Sequence, residues 1–188
     1  MNRSFLQKAR DFAINSHGDQ KYGDYPYEIH LGHVVNVLLR FGVMPDTECQ
    51  INLMAAAWLH DVLEDTPVTY EQIEAAFNPE IARIVHSVTD EPGNTRRERK
   101  EKTYVKLAQN PDGVIVKLAD RIANVEFSLV HGNIDLLDMY QKEQPGFEAA
   151  IKAALNTPLY NALLDHLKRC YTSYMPVSYT HLTLPTKA

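Results

Sequence analysis

The feature that most constrains the fold of this chain is a helical periodicity of apolar residues along most of its length. The segment from Ile51 to Leu63 is apolar on nearly every side, which is typical of a helix at the centre of a bundle. The segment from His30 to Phe41 has a single apolar side. Capping signals at Thr69 to Gln72, Asn78-Pro79 and Thr157-Pro158 open further helices. We therefore predict an all-α helical bundle.

One short segment favours β structure when it is read in isolation. Val114 to Val116 is a β-branched run, but the rest of the chain that looks native offers it no partner strand. We predict that it forms a buried turn inside a helix that runs from Pro111 to Val130.

The composition excludes several classes of protein. The chain has 188 residues, of which 45% are hydrophobic and 23% charged, as in an ordinary globular domain. A net charge of −5 disfavours nucleic acid as a partner, and no apolar run is long enough to span a membrane. Cys49 and Cys170 have no paired spacing, so we expect neither a disulfide framework nor a thiol-based metal site. The amphipathic N-terminus lacks a signal-peptide core, and we expect a cytoplasmic protein.

The last twelve residues depart from the helical pattern. Residues 177–188 alternate β-forming residues, and most of the segment, when back-translated, resembles a sequencing adapter that has been read through in frame. We interpret residues 1–176 as one domain and residues 177–188 as a non-native tail. The alternative is a genuine C-terminal tail.

A group of ionisable residues interrupts the most apolar predicted helix. His60, Asp61, Glu64 and Asp65 follow a run of alanines, and on a helix they would lie on two neighbouring stripes. A carboxylate in such a setting needs a cation or hydrogen bonds. The alternative is that the helix ends near Asp61 and that the acids lie in a solvated loop, which Thr66-Pro67 favours.

Two other helices carry polar residues in apolar surroundings. His30 stands at the start of one helix, where a capping or surface role is the alternative to metal binding. Asp120 has Asn124 one turn later on the same side, and an ion pair with Arg121 or Lys117 is the alternative interpretation.

Taken together, these segments resemble the HD-domain metal-dependent phosphohydrolases, whose metal ligands occur in the order H…HD…D. The resemblance is closer to the (p)ppGpp hydrolase domains of RelA/SpoT-type proteins and the small alarmone hydrolases. It covers roughly residues 5 to 155. The segments that carry it are His17 to Gln20, Pro26-Tyr27, His60 to Thr66, Val88 to Asp90, Glu98 to Lys100, Val116 to Arg121 and Asn124.

The resemblance implies a metal site and a reaction. His30, His60, Asp61 and Asp120 would be the metal ligands. Such a mixed nitrogen and oxygen set suits Mn²⁺, although it does not exclude Zn²⁺ or Fe²⁺. Glu64 and Asp65 would jointly orient and deprotonate the attacking water. The reaction of the family removes pyrophosphate from the 3′ position of (p)ppGpp, giving GDP or GTP.

The same resemblance suggests residues that contact this nucleotide. Lys21 and Arg96 are candidates, with surface charges as the alternative, and Tyr140 has helix packing as its alternative. The remaining candidates are Lys117, Arg121 and Asn124.

Some features depart from the pattern of the branch. Glu126 stands where the branch usually has an arginine, and the basic segment before Pro26 is short and poor in arginine. Both departures lie on the substrate side. The alternative functions are therefore a phosphohydrolase of another nucleotide or phosphorylated cofactor, and a non-catalytic alarmone-binding module. His33 would lie beside the metal site or in solvent, and His166 has no companion in the sequence.

Overall fold

The computed structural model of the chain describes residues 2–152 and 157–173, and the backbone in these ranges is almost entirely helical. The elements in chain order are α1 (Asn2–His17), β1 (Lys21–Tyr22), β2 (Tyr25–Pro26), α2 (Glu28–Arg40), α3 (Glu48–Leu59), α4 (Val62–Asp65), α5 (Tyr70–Ala76), α6 (Pro79–Val88), α7 (Arg96–Leu107), α8 (Pro111–His131), α9 (Ile134–Ile151) and α10 (Pro158–Ser173). The predicted all-α bundle is confirmed.

Helices α3 and α8 form the centre of the bundle. Helix α8 packs against α2, α3, α6, α9 and α10, and α3 packs against α1, α2, α6 and α8. The side chain of Asn110 accepts the backbone N–H of Gly113 and caps α8, which ends at Gly132 in the left-handed conformation. Val114 to Val116 are buried in its first turns, as predicted. Burial of each such side chain stabilises the fold by about 1.5–3 kcal/mol.

The predicted helix from Ile51 to Leu63 is wrong in its last turn. Helix α3 begins earlier, at a capping box formed by Thr47 and Gln50, and it ends at Leu59. His60 and Asp61 leave the helix, and α4 then forms a single short turn. The helix therefore ends near Asp61, as in the alternative, but the exposed acids Glu64 and Asp65 lie on a separate helical turn and not in a loop. The interruption turns the side chains of His60 and Asp61 toward α2 and α8.

A two-stranded hairpin precedes α2. Strands β1 and β2 pair antiparallel, with Tyr22 opposite Tyr25. Gly23 has a φ of +59°, which the two-residue turn requires, and a side chain there would contact Phe127. The ring of Tyr22 packs on Phe127 with centroids 4.3 Å apart, which fixes the hairpin against α8.

The helix predicted to open at Thr157-Pro158 is confirmed as α10. Thr157 precedes α10, and its side chain accepts the backbone N–H of Tyr160. The predicted non-native tail, residues 177–188, lies outside the described residues. None of the helices in residues 2–152 and 157–173 combines the length and the apolar character needed to cross a membrane.

Candidate active site

Two buried histidines meet between α2 and the end of α3. His30 lies in the first turn of α2, His60 follows α3 directly, and both are at most 2% exposed. Their Nε2 atoms are 3.1 Å apart. The Nδ1 atom of His60 donates to the carbonyl of Ala57 over 2.9 Å. Because Nδ1 is engaged by this carbonyl, Nε2 is the ring nitrogen of His60 that faces His30.

Two aspartates complete this group, which we call the His–Asp cluster (His30, His60, Asp61 and Asp120). Asp61 Oδ2 lies 3.0 Å from the Nε2 atom of His60 and 3.4 Å from that of His30. Asp120 Oδ1 lies 3.3 Å from His30 Nε2 and 3.7 Å from His60 Nε2. Lys117 contacts the other oxygen of Asp120, at 3.1 Å. Burial acts to raise the pKa of each aspartate, but the adjacent cationic groups outweigh it and hold both pKa values well below the usual range.

The His–Asp cluster attracts positive charge. Burial lowers the pKa of His60, yet Asp61 and Asp120 outweigh this effect and raise it to about 10. The donor atoms of His30, His60 and Asp120 all lie within 4.8 Å of one another, and Asp61 is adjacent. Two imidazole nitrogens and two carboxylates converging at contact distance fit a divalent cation.

Hydrogen bonds from neighbouring side chains hold both carboxylates in place. The hydroxyl of Tyr27 donates to Asp61 Oδ2 over 2.6 Å. The side-chain amide nitrogen of Asn124 donates to Asp120 Oδ1 over 2.6 Å, and the hydroxyl of Tyr22 donates to the side-chain Oδ1 of Asn124 over 2.8 Å. Such outer contacts fix the orientation of metal-binding groups. Asn124 therefore holds a proposed ligand, in addition to its predicted place near the nucleotide.

The two acids of α4 lie beside the His–Asp cluster and line the same pocket. Glu64 Oε2 accepts the backbone N–H of Asp90 over 3.0 Å. Asp65 Oδ2 accepts the side-chain amide of Gln20 over 2.8 Å, and the carbonyl oxygen of that amide accepts Nδ1 of His17 over 2.9 Å. Burial raises the pKa of Glu64 above its ordinary value. A carboxylate with a raised pKa at a pocket wall is a candidate for proton transfer.

Cationic side chains also line the pocket. Arg96 donates through Nε to Glu143 over 2.6 Å. Arg121 donates to the backbone carbonyl of Tyr140 over 2.6 Å, and its guanidinium lies 5.0 Å from the centre of the Tyr140 ring. The ammonium of Lys100 contacts Asp90 at 2.8 Å, and burial lowers its pKa. These contacts orient the cationic groups, which can bind a polyanionic ligand.

The structure brings most of the predicted site residues together. Those that line this pocket are His30, Asp61, Glu64, Asp65, Arg96, Lys117, Asp120, Arg121, Asn124 and Tyr140. His60 lies directly behind them in the His–Asp cluster. Lys21 is exposed on β1 and does not belong to the pocket lining.

The prediction did not include several residues that the structure places at the site. Tyr27 and Lys100 lie within segments that carry the family resemblance. Tyr27 directly precedes the helix of His30, and Lys100 belongs to a basic run, and these positions could have indicated a place at the site. Tyr104, one turn after Lys100 on α7, lines the pocket too. Tyr22 reaches Asn124 through the hairpin, and the sequence around it carries no signal for that contact.

Comparison with known proteins gives a family. The model of the HD domain family matches residues 9–133, two thirds of the chain. A solved metazoan ortholog of SpoT that hydrolyses ppGpp superposes with a TM-score of 0.71 at 25% identity, covering 88% of this chain and 94% of that one.

Curated relatives agree with the structural match. The chain is 36% identical over 125 residues to guanosine-3′,5′-bis(diphosphate) 3′-pyrophosphohydrolase MESH1 of Danio rerio, covering 64% of this chain and 67% of MESH1. It is 36% identical over 127 residues to the corresponding enzyme of Aquifex aeolicus, covering 64% of this chain but only 17% of that longer protein. The chain belongs to the HD-domain family, in the branch of the guanosine-3′,5′-bis(diphosphate) 3′-pyrophosphohydrolases.

Proposed function

We propose that this chain hydrolyses the 3′-diphosphate of ppGpp or pppGpp and releases pyrophosphate, leaving GDP or GTP. The observation that carries this proposal is the convergence of three groups of residues in one pocket. One pocket is lined by residues of the His–Asp cluster, by the acids Glu64 and Asp65, and by four cationic side chains. The cations are Arg96, Lys100, Lys117 and Arg121. The family relationship supplies the choice of nucleotide.

The cations of the pocket would bind the phosphate groups. Arg96 and Arg121 both contact Glu143, at 2.6 and 3.6 Å, which orients their guanidinium groups side by side. Guanidinium groups bind phosphate oxygens through paired hydrogen bonds, whereas Lys100 and Lys117 would act as point charges. An alarmone carries two diphosphate arms, and a set of this kind matches that charge. Tyr140 borders the same wall.

The residues of the His–Asp cluster would hold the metal ion, and we assign Mn²⁺ because the donors are imidazole and carboxylate groups without a thiolate. The ion when bound would supply Lewis acidity, which polarises a phosphoryl oxygen and makes water more acidic. Glu64 and Asp65 would orient the attacking water and accept its proton. The water oxygen forms a bond to the phosphorus that bears the ribose 3′ oxygen. That P–O bond breaks, and the 3′ oxygen leaves with the electron pair and takes up a proton.

A nucleotide panel tests the substrate. The purified chain is incubated with Mn²⁺ and with ppGpp, pppGpp, GTP, ATP or NADPH, and released pyrophosphate and phosphate are measured separately. We expect pyrophosphate from ppGpp and pppGpp, and none after addition of a chelator. If another nucleotide of the panel is cleaved and ppGpp is not, that nucleotide would replace ppGpp as the proposed substrate. Binding of ppGpp with no turnover would identify a regulatory module.

One observation keeps another nucleotide or phosphorylated cofactor in the panel as a second candidate. Glu126 occupies a position where the branch usually has an arginine, and Lys21 lies away from the pocket. Lys21 therefore supplies no charge to a substrate in the pocket, and Glu126 does not line the pocket either, whereas the His–Asp cluster is complete.

A further inference from the structure

A second group of metal-binding side chains lies outside the active site. Its members are His33 on α2, Glu126 on α8, and His166 and Cys170 on α10, which we call the α10 cluster. His33 Nε2 contacts Glu126 Oε2 at 2.8 Å, and His166 Nε2 contacts Glu126 Oε1 at 2.7 Å. From the sequence we expected no companion for His166 and no thiol-based site, and the contact with Glu126 corrects the first of these expectations.

Three of these donors have the geometry of a metal site. The donor atoms of Glu126, His166 and Cys170 lie within 4.8 Å of one another. His166 and Cys170 are four residues apart, which places both on one side of α10, and Sγ lies 3.5 Å from Nε2. His33 contacts the other oxygen of the same carboxylate from α2 and lies outside this group of three donors.

We infer that the α10 cluster is a second metal site, selective for Zn²⁺ over harder divalent ions. Thiolate, imidazole and carboxylate together are the ligands that Zn²⁺ takes in tetrahedral sites, whereas the His–Asp cluster has no sulfur donor. A metal held by Glu126, His166 and Cys170 would join α8 and α10, and so fasten α10 to the helix that carries Asp120.

Binding requires three changes in the cluster. Burial raises the pKa of the Cys170 thiol to about 11, so the thiol is protonated at neutral pH and the metal must displace its proton to solvent. Each imidazole must carry its single proton on Nδ1, so that Nε2 is free to bind. Arg40, whose guanidinium donates to both oxygens of Glu126 at 2.8 Å, must move away. Its side chain is 41% exposed, so it can rotate into solvent.

Co²⁺ is a suitable probe because a cobalt–thiolate bond gives a charge-transfer band in the near ultraviolet, which the sulfur-free His–Asp cluster cannot produce. The reduced, purified chain is titrated with Co²⁺ and its absorption spectrum recorded. We expect the band to saturate when one Co²⁺ ion is bound at the α10 cluster of each chain. The band should disappear when Zn²⁺ is added, and it should persist in Asp61→Asn.

Matched variants assign the band to the cluster. Cys170→Ser should abolish it, whereas Cys49→Ser, which changes the exposed cysteine, should retain it. His166→Gln should also weaken Co²⁺ binding at least tenfold, with His131→Gln, at an exposed histidine, as its control. Circular dichroism checks that each variant is folded. If Cys170→Ser does not fold, His166→Gln provides the test of the cluster instead. The proposal is overturned if the wild type shows no thiolate band, if the band survives in folded Cys170→Ser, or if folded His166→Gln binds like the wild type.

Discussion

Two clusters of imidazole and carboxylate groups stand on the same pair of helices. The His–Asp cluster takes His30 from α2 and Asp120 from α8, and the α10 cluster takes His33 and Glu126 from positions further along the same helices. The two clusters differ in the cationic side chains that contact their carboxylates. Arg40 contacts both oxygens of Glu126, whereas Lys117 contacts only one oxygen of Asp120 and leaves the other facing the histidines.

Burial separates the two clusters further. The side chains of the His–Asp cluster are between 0% and 14% exposed, whereas those of His33 and His166 are each 25% exposed. A buried pair of carboxylates attracts a cation more strongly than an exposed pair, because water screens the charge less. The two clusters thus place similar residues at helical spacing but differ in burial and in the cations that contact their carboxylates. The α10 cluster should therefore bind its metal more weakly than the His–Asp cluster.

The largest expected effect comes from removing a donor of the His–Asp cluster. Asp61→Asn keeps the shape of the side chain but removes the charge that faces both histidines. We expect bound Mn²⁺ to be lost, and activity to fall by more than the roughly 10²–10⁴-fold typical of losing a general base. Metal content and pyrophosphate release are measured on the same sample, with Asp165→Asn at an exposed site as control. Wild-type metal content in Asp61→Asn would contradict this assignment.

Removal of an acid beside the cluster should separate catalysis from metal binding. Glu64→Gln keeps the acceptor for the Asp90 N–H but cannot take up a proton. We expect kcat to fall by about 10²–10⁴-fold while Mn²⁺ content stays at the wild-type level. Glu71→Gln, at an exposed position on α5, is the control. If Glu64→Gln loses metal in proportion to activity, Glu64 belongs to the metal site and its assigned role is wrong.

The hydrogen bond from Asn124 to Asp120 should have an intermediate effect. Asn124→Ala removes the donor to Asp120 Oδ1, and such outer contacts contribute about 10–100-fold to metal affinity or activity. Tyr22→Phe removes only the more distant bond to Asn124 and should have a smaller effect. Mn²⁺ affinity is measured by titration calorimetry for both variants. Unchanged affinity and activity in Asn124→Ala would show that Asp120 needs no such support.

The smallest effect tests the resident charge of the α10 cluster. Arg40→Met removes the guanidinium that competes with a metal for Glu126. Partly exposed ion pairs contribute about 0.2–1 kcal/mol, so Co²⁺ should bind this cluster up to about fivefold more tightly. The intensity of the thiolate band measures Co²⁺ binding at the α10 cluster. Pyrophosphate release measures the activity that depends on the His–Asp cluster. Weaker Co²⁺ binding in Arg40→Met would show that the arginine supports the site.

Local signals in the sequence predicted the helices well. The capping pair Thr69 and Gln72 and the cap Asn78 depend on residues three positions apart, and the structure shows both. The interruption after Leu59 was expected only as the alternative, because apolar periodicity continues through it. It depends on contacts of Asp61 with His30 and Tyr27, which lie about thirty residues earlier in the chain.

The candidate site was predicted mainly through the motif resemblance, and its limits have a physical cause. Whether Lys100 and Tyr104 face the pocket depends on how α7 packs against α8 and α9, which the sequence of α7 alone does not specify. The hairpin turns Lys21 away while it directs Tyr22 inward. The contact between Glu126 and His166 joins residues forty positions apart, with no local signal.

Phosphorus NMR of ppGpp turnover tests the central claim most directly, because it identifies both products and the bond that breaks. The wild-type chain is compared with Asp61→Asn in Mn²⁺, each with and without chelator. The account predicts that the 3′-diphosphate signals are replaced by free pyrophosphate and GDP in equal amounts, only in the wild type and only without chelator. Intact ppGpp in that sample, or turnover that survives both the chelator and Asp61→Asn, would contradict it.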